Sequence, residues 1–345
     1  MRRGDPAFYL VTVVVSFALP GAPARGLGQQ VPAANPASLP APQPAQPLGP
    51  AATTPTGHPN ATSPSLADAA GLFGAKNGML SRDQIRAVVR QVAENDLANE
   101  KRQRDYTYTR REVEHKRNGK GEITSTESKT YEVMVLYGEP VERLIEKDGK
   151  PLAEKEAAKE EARISKLTEK RKNESDGDRQ RRLQKEAKER DEDRAFVREV
   201  ADAYDFRLAG IEKIDGRDTY VVDGEPHPGY EPHLKQAKFL PKFRLRVWID
   251  QAEMQWVRFD AVAIDTVSWG LFIARVHKGS HVEAEQTRVN DEVWLPKHVA
   301  IGLDARVALL KDYNLDLDET YSAYRKFRTA TRIIGMGQAD EDHPR

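Results

Sequence analysis

From Leu245 to Phe327 the chain is a nearly continuous series of short segments in which apolar and polar residues alternate. Leu245–Asp250, Gln255–Thr266, Leu271–His277, His281–Val289, Val293–Ile301, Ala305–Leu317 and Tyr321–Phe327 all follow this pattern. A period of two is that of a half-buried strand. The links are short: Gln251-Ala252-Glu253, Lys278-Gly279 and Asn290-Asp291-Glu292. A parallel crossover needs a dozen residues or more, so links this short predict an antiparallel meander. Upstream, Tyr106–His115, Ile123–Leu136, Val141–Glu146, Phe206–Ile214 and Thr219–Val222 read the same way. Gly119-Lys120-Gly121 and the Asp-Gly steps at 148–149 and 215–216 supply reversals. No internal repeat is apparent.

Two helical features accompany the strands. Ser81 with Gln84 three residues on is a capping box, and Ile85, Val88, Val89 and Val92 recur at helical spacing. Residues 82–98 are therefore expected to form an amphipathic helix lying on the sheet. Residues 153–204 are dense in mixed charge, with a break at Asn173–Gly177. Two helices forming an inserted hairpin are expected there. Its few apolar positions (Ile164, Leu167, Leu183, Phe196, Val197, Val200) suffice to dock one edge. The hairpin reads as a solvated charged arm, the alternative being a cover or partner-binding arm. The fold class read from these elements is α+β: an antiparallel meander with an N-terminal amphipathic helix and an inserted charged helical hairpin.

The parity of the strands bears on function. In Gln255–Thr266 one parity gives Val257, Phe259, Ala261 and Ala263, the other Trp256, Arg258, Asp260, Val262 and Ile264. Leu271 and Ile273 alternate with Phe272, Ala274 and Val276. A sheet apolar on both faces is expected, and one helix covers only one of them. The other needs closure by curvature, by the insertion or by a ligand, because large exposed apolar patches rarely persist without purpose.

Ahead of the strands the chain reads as an exported one. Arg2 and Arg3 precede a 12-residue apolar run, Phe8 to Leu19, and Ala22-Pro23-Ala24 offers a cleavage site after Ala24. That run is short for a ~30 Å hydrocarbon core, so a removable Sec signal over 1–24 is expected rather than a stable membrane span. Residues 25–78 are rich in Pro and Ala, with no charged residue from Gly26 to Ala67, and are expected to stay unfolded. The folded domain is placed at 79–334 and a disordered tail at 335–345. The chain contains no cysteine. That excludes thiol catalysis, Cys-based zinc or iron–sulfur sites, disulfides and a lipid-anchored cysteine. The protein is therefore expected to be periplasmic and soluble, not a lipoprotein. Lys plus Arg and Asp plus Glu each total 54, a balance that argues against a nucleic-acid partner.

Chemistry is sparse. There is no G-x-S-x-G elbow, Walker loop or H-E-x-x-H motif, so no catalytic residue and no cofactor is assigned. Asp312–Asp318 opens like a calcium loop, but its sixth residue is Leu317 and its twelfth Ala323, where glycine and glutamate belong. A half-buried strand explains the alternation. His227-Pro228-Gly229-Tyr230-Glu231-Pro232-His233 reads as a rigid loop and not as a metal site. The four tryptophans, Trp248, Trp256, Trp269 and Trp294, read as packing residues.

Val247-Trp248-Ile249-Asp250 running into Gln255-Trp256-Val257-Arg258, then Val293-Trp294-Leu295-Pro296, then Tyr321-Ser322-Ala323-Tyr324-Arg325-Lys326-Phe327 carry a resemblance. Over roughly 80–330 the chain resembles the LolA/LolB-like periplasmic lipoprotein carriers. The long spacer and the charged hairpin depart from that pattern, and no lid-locking arginine is assigned. The resemblance implies an antiparallel, unclosed (half) β-barrel, and a non-enzymatic carrier that holds lipid or lipoprotein acyl chains on its concave apolar side. Leu245, Val247, Val257, Phe259, Leu271, Ile273, Val299 and Ile301 are the candidate lining. The alternative is a periplasmic scaffold or envelope-stress sensor that binds an envelope protein through the hairpin.

Overall fold

The computed structural model describes residues 80–137, 139–269, 274–307 and 311–326. The expected signal, spacer and tail lie outside the described residues, as do Leu271 and Ile273. Helix α1 (Arg82–Gln103) begins at the predicted cap: Ser81 Oγ accepts from the Gln84 amide at 3.3 Å, and Gln84 Oε1 accepts from the Ser81 amide at 2.8 Å. Four strands follow: β1 (Tyr106–Arg117), β2 (Ile123–Leu136), β3 (Glu139–Lys147) and the short β4 (Lys150–Pro151). Next come helices α2 (Glu154–Lys172) and α3 (Asp176–Ala203). Nine more strands complete the described chain: β5 (Tyr204–Ile214), β6 (Arg217–Pro226), β7 (Phe243–Asp250), β8 (Gln255–Ala263), β9 (Val267–Trp269), β10 (Ala274–Val276), β11 (His281–Val289), β12 (Val293–Val307) and β13 (Lys311–Lys326). A 3-10 helix, Gln236–Lys242, precedes β7.

The strands form one antiparallel sheet in the order β4-β3-β2-β1-β13-β12-β11-β8-β7-β6-β5, with β9 and β10 paired off its path. Two meanders are thus joined where β1 meets β13. β4 and β5 lie at opposite ends and are not paired to each other, so the barrel is unclosed. The helical hairpin is the chain that runs from one open edge to the other. At the β3 edge, Glu160 of α2 accepts from the Leu144 amide at 2.9 Å, and Arg163 donates to the Glu142 carbonyl. Side chains of α2 thereby occupy backbone groups that an exposed edge would offer to another strand. At the other end α3 lies against α1, with Arg198 on Glu94 at 2.6 Å and Arg90 on Asp202 at 2.9 Å.

Two expectations are corrected. The break expected after Ile301 is absent: β12 runs through Gly302-Leu303-Asp304 without turning. Gly302 instead lies under the His281 ring, where a Cβ would meet Cε1 at 2.2 Å. The sheet is also apolar on one face only. Leu245, Ile249, Trp256, Ala261, Ala284, Val299, Ile301, Leu303, Leu315 and Leu317 form one buried cluster with Ile85, Val88 and Val92 of α1. The opposite face is a lattice of ion pairs: Arg246 and Arg207 on Asp223 at 2.6 and 2.7 Å, and Arg258 on Asp260 and Glu283, each at 3.2 Å. Trp248 stands in this lattice, donating to Glu212 at 2.8 Å under the Arg258 guanidinium. The pattern misled because β8 carries a bulge. Trp248 pairs with Arg258 and Ile249 with Trp256, leaving Val257 as the extra residue. One inserted residue exchanges the faces, which puts Trp256 on the same side as Phe259.

Candidate functional site

The concave face has two sectors. The apolar sector spans β5–β8 and β11–β13 and is covered by α1 and by the 3-10 segment, through Ala237 and Leu240. Of the candidate lining, Leu245, Val299 and Ile301 are buried members of this sector, and Val247 and Phe259 pack against it half-buried. Val257 is buried but stands outside the cluster, because it is the bulge residue.

The second sector, on β1–β3 and β13, is polar. Arg110 on β1 meets Glu319 and Glu112 at 2.5 and 2.9 Å and Glu142 at 3.0 Å, with its side chain only 6% exposed. Tyr321 donates to Glu319 at 2.7 Å, and the Arg110 guanidinium stacks on Tyr131. Arg110 is held ionised, well above its ordinary range, because three carboxylates outweigh its burial. Desolvation pushes the Tyr108 and Tyr321 hydroxyls up, so both stay neutral. Alternation in Tyr106–His115 marked the strand. It gave no sign that its charged residues face inward, because the most buried carboxylate on Arg110, Glu319, lies 209 residues away.

Helix α1 crosses the apolar sector and changes character along its length. Its first half presents Ile85, Val88 and Val92. Its second half is clasped by polar side chains. Asn95 donates to the Glu253 and Met254 carbonyls at 2.9 and 2.8 Å. Asn99 donates to the Trp294 carbonyl at 2.7 Å and accepts from the Trp294 amide at 2.9 Å, as a neighbouring strand would. Between them, buried Asp96 accepts from Trp256 Nε1 at 2.8 Å and from Gln255 at 3.1 Å. Burial raises the Asp96 carboxyl from 3.8 to about 6. Three of the tryptophans therefore use their indoles as donors: Trp256 to Asp96, Trp294 to Glu253 and Trp248 to Glu212.

A groove of about 350 Å³ lies on the opposite face, over Ala300 and Gly302, between His281 and the Val113, His115, Asp316 and Asp318 side chains. Its carboxylates already have partners, Asp318 in His298 at 2.6 Å and Asp316 in Arg117 at 3.0 Å. Among the described residues no cluster of three or more His, Asp or Glu is arranged to hold a metal ion. The His227–His233 loop is instead tied to α3, where Glu199 accepts from Tyr230 Oη at 2.5 Å and the His233 amide at 2.6 Å. Asp312–Asp318 is part of β13, with Leu315 and Leu317 buried.

No family model matches this chain, and no curated protein does. Solved structures are similar to it, three of them as follows. A DUF1329 family protein from Desulfovibrio piger is 12% identical, covers 73% of this chain and 95% of its own, and gives a TM-score of 0.27. A domain described as outer membrane lipoprotein-sorting, from Vibrio parahaemolyticus, is 13% identical over 69% and 94% of the two chains, with a TM-score of 0.28. A LolA superfamily protein from Nitrosomonas europaea is 10% identical over 70% and 92%, with a TM-score of 0.25. The likeness is to the fold alone. Among the described residues no helix is long and apolar enough to cross a membrane.

Proposed function

We propose that this protein is an exported, non-catalytic carrier that holds lipid or lipoprotein acyl chains against the concave apolar sector. The observation that supports the reading is the one-sided sheet. A broad apolar surface on an unclosed barrel is covered by separate helical segments, not by a second sheet. Such a cover can be exchanged for a ligand without breaking any strand pairing. Leu245, Val247, Phe259, Val299 and Ile301 are the proposed contacts, with Leu271 and Ile273 carried over from the strand pattern. Burial of acyl chain would contribute about 0.8 kcal/mol per methylene. The same reading places the protein in the periplasm behind a cleaved signal.

Native mass spectra of the full exported chain, before and after organic extraction, test this. A lipid-sized adduct released stoichiometrically is the expected result. A bare polypeptide that stays bare with acylated peptides and phospholipid vesicles overturns it. Phe259→Asp, on the concave face beside Val247, is expected to abolish retention while circular dichroism stays unchanged. Full retention by the folded variant contradicts the assignment of the face.

The charged hairpin supports a second reading, a scaffold for an envelope protein. Deleting 155–198 separates the two. A lost partner with retained lipid favours the scaffold.

A further inference from the structure

Helix α1 has one feature that stable packing does not call for. Asp96 is 6% exposed in the seam between helix and sheet, and its hydrogen-bond partners are neutral. Trp256 and Gln255 of β8 donate to it, and Gln286 of β11 approaches from the next strand. No cation lies among these partners. Gln286 is 2% exposed, and its Oε1 is buried without a hydrogen-bond partner. Burial of Asp96 with no cation among these neutral donors favours its uncharged form and outweighs the hydrogen bonds, which favour the carboxylate.

The charged groups nearby do not neutralise Asp96. On α1, one turn on, Glu100 adds like charge, though it is itself paired with Arg104 and with Arg194 of α3 at 3.5 Å. Asp193 of α3 faces Glu100 and is itself raised by burial. In the β7–β8 turn, Glu253 is held by Arg217 at 2.9 Å and Arg288 at 2.6 Å, which leaves those cations engaged. From β12 comes Trp294, neutral, with its indole also on Glu253.

We propose that Asp96 is a proton-operated clasp: proton uptake from solvent fastens α1 to the sheet, and ionisation loosens it, regulating access to the apolar sector beneath. The regulatory role rests on the carrier reading; the clasp itself does not. The carboxyl titrates near 6 when α1 is docked and near its ordinary 3.8 when hydrated. A group raised by folding contributes stability at low pH that is lost as pH rises. The loss falls between about pH 4 and pH 6 and levels off above. The opening equilibrium of α1 should therefore rise about tenfold between roughly pH 5 and pH 7.

Hydrogen exchange of the α1 amides in the full chain, corrected for intrinsic rates at each pH, reads this directly and needs no ligand. The wild type is expected to lose about tenfold in protection across that window, and Asp96→Asn is expected to be flat. Equal slopes in the two proteins, or no slope in the wild type, overturn the clasp. If Asp96→Asn does not fold, Trp256→Phe serves. Removing a donor to the carboxylate moves the step to higher pH, and an unmoved step overturns the proposal. Uptake of an acylated peptide over the same pH range distinguishes the two ideas. A step in α1 protection with no uptake at any pH keeps the clasp and rejects the carrier.

Discussion

Arg110 offers the sharpest stability test, because one guanidinium holds three carboxylates at 2.5 to 3.0 Å in a place where its side chain is 6% exposed. Truncation to methionine keeps most of the volume and removes a buried charge that meets Glu112, Glu142 and Glu319. Taking one partner from a buried ionic cluster costs about 3–5 kcal/mol, because the remaining charges keep their desolvation penalty. At neutral pH, Arg110→Met is therefore expected to lower unfolding stability by that amount, read from urea denaturation followed by far-UV circular dichroism. With a urea m-value of about 2–3 kcal/mol/M, the midpoint falls by 1–2 M. Acidification must shrink the difference, since protonated carboxyls no longer need the cation. Arg90→Met is the control. It also breaks an Arg–Asp pair, to Asp202 at 2.9 Å, but both side chains are exposed, at 61% and 58%. Solvent screening holds its cost below about 1 kcal/mol. Equal losses for the two variants at neutral pH, or an Arg110→Met deficit that persists in acid, would refute the argument that burial sets the magnitude.

Glycines 224 and 302 test the two faces against each other. A Cβ at Gly224 meets buried Phe206 at 2.9 Å, so Gly224→Ala is expected to destabilise by about 1–3 kcal/mol in thermal melts. A Cβ at Gly302 meets the His281 ring at 2.2 Å, but that ring is exposed and free to swing. Gly302→Ala is therefore expected to be neutral or to stabilise by about 0.5–1 kcal/mol. Asn99→Ala removes two side-chain hydrogen bonds to the buried Trp294 backbone near the end of α1. It should cost about 1–3 kcal/mol, while Gln103, which also donates to the Trp294 carbonyl at 3.0 Å, softens the loss.

Much of the architecture could be read from local chemistry. The capping box, the Asp-Gly reversals and the two- and three-residue links are short-range signals, and the first helix, the meander and the hairpin arise from them. The errors arise where a single residue changes what alternation means. At Val257 a bulge moves Trp256 from the outer to the inner face, and a period of two carries no trace of it. At Gly302 a residue that usually ends a strand lets His281 lie flat. The charged lattice was visible as Arg246, Arg258, Asp260 and Glu283. Alternation along one strand does not show it, because its logic is transverse, across neighbouring strands. Arg110 and Asp96 were missed for the same reason. Each is an ordinary charged residue in its own segment, and its partners are set by strand order.

The balance of energies along α1 bears on whether a ligand can take its place. Leu80, Ile85, Val88 and Val92 are each 9% exposed or less. At about 1.5–3 kcal/mol per buried aliphatic side chain, their contribution is about 6–12 kcal/mol. An acyl chain that buries about a dozen methylenes gains about 10 kcal/mol on the same scale. The exchange of one for the other is thus close to even, and small differences in the clasp decide it. A helix held only by apolar contacts would be lost altogether on displacement. Asn95 and Asn99, bonded to the β7–β8 turn and to β12 backbone, would keep the second half in register if a ligand displaced the first half. Asp96 lies between them, so the charge it carries weighs directly on an otherwise even exchange.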